Sequence, residues 1–186
     1  MKKLIILFIF SFLLGLPSSD AQINFSEMLQ PNKIAKDEVS KLYFIDFWAT
    51  WCAPCIHVSK YLTVLQEQYP DDFYVISLTQ ENPEKVRKFL LKHQTKLAVA
   101  IDFDGENFYK NGISSLPSGT LLNAEGSILW EGHPAELKSE MIARFLRKNN
   151  KEIAIQELIT FNKPVENQEF ITYKPLYNFE IFNDDN

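Results

Sequence analysis

A dense apolar run, Leu42-Tyr43-Phe44-Ile45-Asp46-Phe47-Trp48, leads through Ala49-Thr50 into Trp51-Cys52-Ala53-Pro54-Cys55, and an amphipathic stretch follows directly. Aromatic and β-branched residues without polar alternation describe a strand buried on both faces. From Pro54 to Tyr69 the residues Ile56, Val58, Tyr61, Leu62, Leu65 and Tyr69 recur at helical spacing until Pro70 stops the pattern. Both cysteines therefore stand where a buried strand turns into a helix. A thiol at a helix start meets free backbone N–H groups and the positive end of the macrodipole, and both favour the thiolate. Cys52, at the turn, is expected to be the exposed, low-pKa thiol. Cys55, one helical turn on, is expected to be the shielded resolving thiol.

The surrounding pattern alternates. Phe73 to Leu78 is a second strand. Asn82-Pro83 is an N-cap followed by proline at the first helical position, and Val86, Phe89 and Leu90 give that helix one apolar face. Leu97 to Ile101 is a third strand, closed by Asp102-Phe103-Asp104-Gly105. After a loop through Gly112, Leu116-Pro117 opens a hairpin whose turn is Asn123-Ala124-Glu125-Gly126. Leu137, Met141, Ile142, Phe145 and Leu146 mark a last helix. The order β-α-β-α-β-hairpin-α implies an α/β fold: a central mixed sheet with helices on both faces. Before this unit, Ser26 with Glu27-Met28-Leu29 suggests a short capped helix in an otherwise polar stretch. After it, Ile153, Ile155, Leu158 and Ile159 suggest that a helix continues or restarts. The end of the chain carries Phe170, Tyr173, Tyr177, Phe179 and Phe182, for which packing on the core is favoured over binding a partner.

The first residues form a separate unit. Met1-Lys2-Lys3 precedes the apolar run Leu4–Leu16, then Pro17 and the small residues Ser19-Asp20-Ala21, the layout of a secretory signal peptide. The run is shorter than the ~20 residues a spanning helix needs. We expect a signal peptide over 1–21, a core domain over 22–149 and an extension over 150–186, and hence an exported protein of the periplasm or cell envelope. The net charge of −5 excludes a basic nucleic-acid footprint.

Cys52 and Cys55 are the only cysteines among 186 residues. A structural zinc site needs four ligands, and His57, His93 and His133 are scattered, so no metal is expected. Covalent haem attachment needs histidine directly after the second cysteine, where this chain has Ile56. A structural bridge and a redox-active dithiol both remain open on spacing alone.

The segment Phe44-Ile45-Asp46-Phe47-Trp48-Ala49-Thr50-Trp51-Cys52-Ala53-Pro54-Cys55 resembles the active-site segment of the thioredoxin superfamily, and is most similar to that of the TlpA/ResA-like envelope proteins. Asp102, Leu116-Pro117 and Thr120 to Ile128 extend the resemblance over residues 40–148. It implies a thioredoxin-like fold and an exported thiol–disulfide oxidoreductase with no cofactor. Cys52 and Cys55 would be the catalytic pair, supported by Trp51 and Pro54. Pro117 would be a cis-proline whose loop, with Leu116, docks protein clients. Asp46 would be a buried acid exchanging the Cys55 proton. The resemblance also implies a membrane electron donor, and Ala53-Pro54 is closer to the Gly-Pro of reductases than to the Pro-His or Gly-His of oxidases and isomerases. An oxidase or isomerase, and a binding or assembly module on the same fold, are the alternatives. Three positions depart from the family pattern: Ser77 stands where a lysine partner of the buried acid is usual, Ser118 replaces a threonine, and Leu116 replaces a β-branched residue.

Overall fold

The structure, a computed structural model, describes residues 23–36 and 39–161. In chain order the elements are β1 (Ile23–Phe25), β2 (Glu27–Gln30), β3 (Val39–Ser40), β4 (Leu42–Phe47), α1 (Ala53–Glu67), β5 (Phe73–Thr79), α2 (Pro83–Lys92), β6 (Ala98–Ile101), α3 (Glu106–Lys110), β7 (Ser118–Asn123), β8 (Ile128–Gly132), α4 (Ser139–Leu146), β9 (Ile153–Ala154), α5 (Ile155–Leu158) and β10 (Ile159–Phe161). Six strands form the main sheet in the order β2-β6-β5-β4-β7-β8. Strands β4, β5 and β6 run parallel, while β2 and the β7–β8 hairpin pair antiparallel. The sheet is mixed, as the sequence pattern requires.

Strand periodicity sorts the core into faces. Leu42 and Phe44 of β4, with Phe73 and Val75 of β5, point toward α1 and α4, where Val58, Leu62, Leu65 and Ile142 meet them. Tyr43, Ile45 and Phe47 point the other way, against Phe108 of α3, Phe25 of β1 and the C-terminal Ile155, Leu158 and Ile159. The same parity sends Asp46 and Trp48 to the α1 side, so the acid is buried under a helix rather than placed at a solvated edge.

Three expectations change. Glu27–Gln30 form an edge strand on β6, not a helix, and the Ser26 hydroxyl accepts from the Phe103 N–H instead of capping. Ile153 and Ile159 lie in strands, with only one helical turn between them. Strand β9 pairs with β3 and β10 with β1, which suits β-branched isoleucine better than a helix interior does. Helix α3 occupies the region read as a loop; the Asp102 carboxylate accepts from the Asn107 and Phe108 N–H groups and stands in for a cap there. The boundaries of β4, α1, β5, α2 and the hairpin fall within two residues of those read from the sequence, and Leu137 lies just ahead of α4. The expected signal peptide over 1–21 and the aromatic positions Phe170 to Phe182 lie outside the described residues. Among the described residues no helix is long and apolar enough to cross a membrane.

Candidate active site

Cys52 is the N-cap of α1, and Pro54 occupies the first turn, where a missing N–H costs nothing. The Cys55 N–H donates to Cys52 Sγ at 3.3 Å, so the sulfur takes the place of a capping oxygen. The two residues are joined as a disulfide, with Cα atoms 5.3 Å apart. Cys52 is 3% and Cys55 1% exposed, so both are buried and Cys52 is not the exposed sulfur read from the sequence. Bonded to Cys55, it belongs to an apolar cluster with Trp48, Ala49 and Val86, against which Leu116 also packs. The exposed residues of the motif are its neighbours: Trp51, at 61%, and the adjoining Ala53 and Pro54.

The Leu116–Pro117 peptide bond is cis, Pro117 is buried and Leu116 half-buried. Strand β7 begins at the next residue and pairs with the end of β4, setting Ser118 opposite Phe47 and Gly119 opposite Asp46. The expected docking loop is thereby tied, residue by residue, to the strand that leads into Cys52.

Asp46 is fully enclosed at 1% exposure. Its partner across β5 is Ser77, and the Ser77 hydroxyl donates to Asp46 Oδ2 at 3.2 Å. Asp46 Oδ1 has no hydrogen-bond partner among the described residues. Burial pushes the carboxyl up to about 7, against the Ser77 hydrogen bond, which lowers it. A cleft of about 230 Å³ between α1 and α2 reaches both Asp46 and Cys55. Trp48 also lines it, and Trp48 Nε1 is a second buried polar atom without a partner among the described residues. At the rim stand Lys60, Lys92 and His93. One cleft therefore joins the buried acid, the buried cysteine and solvent. The sequence places Asp46 behind the motif but gives no sign of this cavity, which forms only where α2 closes on α1.

The structure thus brings Cys52, Cys55, Leu116 and Pro117 to one end of the sheet and sets Asp46 behind them. Trp51 and Pro54 stand on the outer side of the same turn. Thr50 and Glu81 belong to the site as well and were not read from the sequence. The Thr50 N–H and hydroxyl donate to the Glu81 carboxylate at 2.5 and 2.8 Å.

Compared with known proteins, residues 21–144 match the Redoxin family. This chain belongs to the Redoxin family. The thiol-disulfide oxidoreductase ResA of Bacillus thuringiensis subsp. konkukian is 30% identical over 115 residues, covering 61% of this chain and 66% of that protein. Thioredoxin-like protein YneN of Bacillus subtilis is 31% identical over 97 residues, covering 50% and 56%. The chain thus spans less than two thirds of the length of each of these curated relatives, 66% and 56%. Among solved structures, a thiol-disulfide isomerase from Corynebacterium glutamicum superposes with a TM-score of 0.55 at 15% identity, covering 72% of this Redoxin-family chain and 96% of its own. MTB DsbF, in its mixed oxidized and reduced forms, gives 0.52 at 14% identity, covering 72% and 98%. These likenesses establish the thioredoxin-like fold, and the ResA relationship agrees with the resemblance carried by Phe44–Cys55.

Proposed function

We propose that this protein is an exported thiol–disulfide oxidoreductase that reduces disulfides in client proteins. The observation that carries the reading is a Cys52–Cys55 disulfide capping α1, beside a cis-proline loop and in front of a buried acid.

In the reduced protein the Cys52 thiolate faces the free N–H groups at the start of α1, which stabilise its charge. It attacks one sulfur of a client disulfide, forms a Cys52–client bond and releases the other client sulfur as a thiolate. The Cys55 thiol then gives its proton to Asp46, whose carboxyl, held near neutral pKa by burial, is suited to accept it. The Cys55 thiolate displaces the client from Cys52, and the Cys52–Cys55 bond re-forms. Two electrons have passed to the client, and the Asp46 proton returns through the cleft. The Leu116 backbone and the exposed Trp51 ring form the face on which an extended client chain docks. An oxidising envelope would leave the pair oxidised, so a membrane electron donor restores the dithiol.

The test is the equilibrium potential of the pair in a glutathione or dithiothreitol buffer, with insulin reduction as the activity. A reductant gives a potential closer to about −270 mV than to about −120 mV. A value near the upper figure would make the protein an oxidant. Absence of insulin turnover with a freely reducible pair would favour the binding-module reading.

A further inference from the structure

The turn Ala49–Cys52 is closed by a hydrogen bond from the Cys52 N–H to the Ala49 carbonyl at 3.1 Å. In such a turn the N–H of the second residue points away from the chain reversal and needs an acceptor from elsewhere. Here that residue is Thr50. Glu81 supplies the acceptor, taking the Thr50 N–H on Oε2 at 2.5 Å and the Thr50 hydroxyl on Oε1 at 2.8 Å.

Glu81 is itself held. It follows β5, its N–H donates to the Thr79 hydroxyl, and it immediately precedes Asn82, which caps α2. Lys85, one turn into α2, donates to Glu81 Oε1 at 2.6 Å. The Glu81 side chain is only 13% exposed, although Lys85 is open to solvent. A carboxylate receiving three charge-assisted hydrogen bonds in a shielded place is stronger and more directional than a surface ion pair. It bridges the loops leaving two adjacent parallel strands, β4 and β5, at the ends where α/β folds build their sites.

We infer that Glu81 is a positioning residue for disulfide exchange: through Thr50 it fixes the turn that aims Cys52 at the start of α1 and holds Trp51 outward. It touches neither sulfur. The inference rests on the reading of Cys52 as the attacking thiol, and it adds a residue that neither the CxxC motif nor the docking loop contains.

Three variants of the full chain separate position from charge. Glu81→Ala removes the clamp. Glu81→Gln removes the charge but keeps both contacts, its carbonyl accepting from the Thr50 N–H and its amide donating to the Thr50 hydroxyl. Thr50→Val removes one contact. All are assayed below their melting temperatures, for insulin reduction and, in a Cys55→Ser background, for the pH dependence of Cys52 alkylation. Glu81→Ala should lower kcat/KM by about tenfold, the scale of a charge-assisted hydrogen bond. It should also slow Cys52 alkylation at pH 6–7. Glu81→Gln should recover most of both losses, with Thr50→Val between the two. Wild-type values in Glu81→Ala would overturn the inference. So would a Glu81→Gln variant as slow as Glu81→Ala, since charge and not position would then be the operative feature. If the unaltered protein reduces no insulin, the proposed function fails, while the alkylation series still decides the role of Glu81.

Discussion

Asp46 and Ser77 face each other across the parallel strands β4 and β5, and the Ser77 hydroxyl gives one oxygen of the Asp46 carboxylate its hydrogen bond while the other is left without a partner among the described residues. A single neutral donor does not offset removal of a carboxylate from water. Burial therefore raises the Asp46 carboxyl from 3.8 to about 7. The folded state binds this proton more tightly than the unfolded chain does, so its contribution is fully present below about pH 4 and lost as the pH rises through 7. Asp102, pushed up to about 6 by burial, adds a dependence of the same sign.

Asp46→Asn should accordingly stabilise the oxidised protein at pH 8, by as much as roughly 4 kcal/mol, with the difference vanishing below about pH 4. The same variant should slow release of the client, because the proton acceptor proposed for Cys55 is lost. Urea unfolding across pH checks the first part and single-turnover kinetics the second. Equal stability of the two proteins at pH 8 would contradict the assigned environment of Asp46.

Gly119 lies opposite Asp46 on the other side of β4, two residues beyond the cis-proline. A Cβ there would overlap the ring of Phe44, which is fully buried. Gly119→Ala should cost about 1–3 kcal/mol through overpacking. A change in the urea midpoint worth less than about 0.5 kcal/mol would show that the Phe44 ring has room to move.

Residues 153–159 are part of the core. Ile155, Leu158 and Ile159 are buried beneath the sheet, and the Tyr43 hydroxyl donates to the Ile153 carbonyl at 2.5 Å. Ending the chain after Asn149 should lower the melting temperature by about 10 °C or more relative to a chain ending after Phe161, because each buried aliphatic side chain contributes about 1.5–3 kcal/mol. Matching melting temperatures would mean these contacts add nothing.

The parts of the fold legible in the sequence are those whose signal is local and repeated. The apolar run of β4, the periodic face of α1 and the Asn82-Pro83 start of α2 each announce themselves within a few residues. Strands β1, β2 and β10 do not, because they are short and are completed by partners far away in sequence: Ile23 pairs with Ile159, and Met28 with Ala100. Helix α3 has five residues and begins on a carboxylate, Asp102, that lies ahead of its first turn. The same distinction divides the site. Cys52, Cys55 and Asp46 follow from one contiguous segment. Glu81 is invisible because a contact spanning 31 residues leaves no periodic trace, and the Asp46 cleft arises from the docking of two helices.

The exchange reaction itself is tested by its intermediate. In Cys55→Ser the Cys52 thiolate can still attack a client disulfide, but the thiol that would resolve the adduct is gone, so the Cys52–client bond should persist. Expressed as the full chain, this variant should accumulate adducts that disappear on reduction and are absent from a Cys52→Ser, Cys55→Ser double variant. Substituting Leu116 in the trapping background should change which adducts form, because Leu116 packs beside the disulfide. A reductant should trap few partners, among them its electron donor, whereas an oxidant would capture many newly exported thiol proteins. An abundant, folded Cys55→Ser protein that forms no Cys52-dependent adduct would remove the main support for disulfide exchange and leave the Leu116–Pro117 edge as a binding surface.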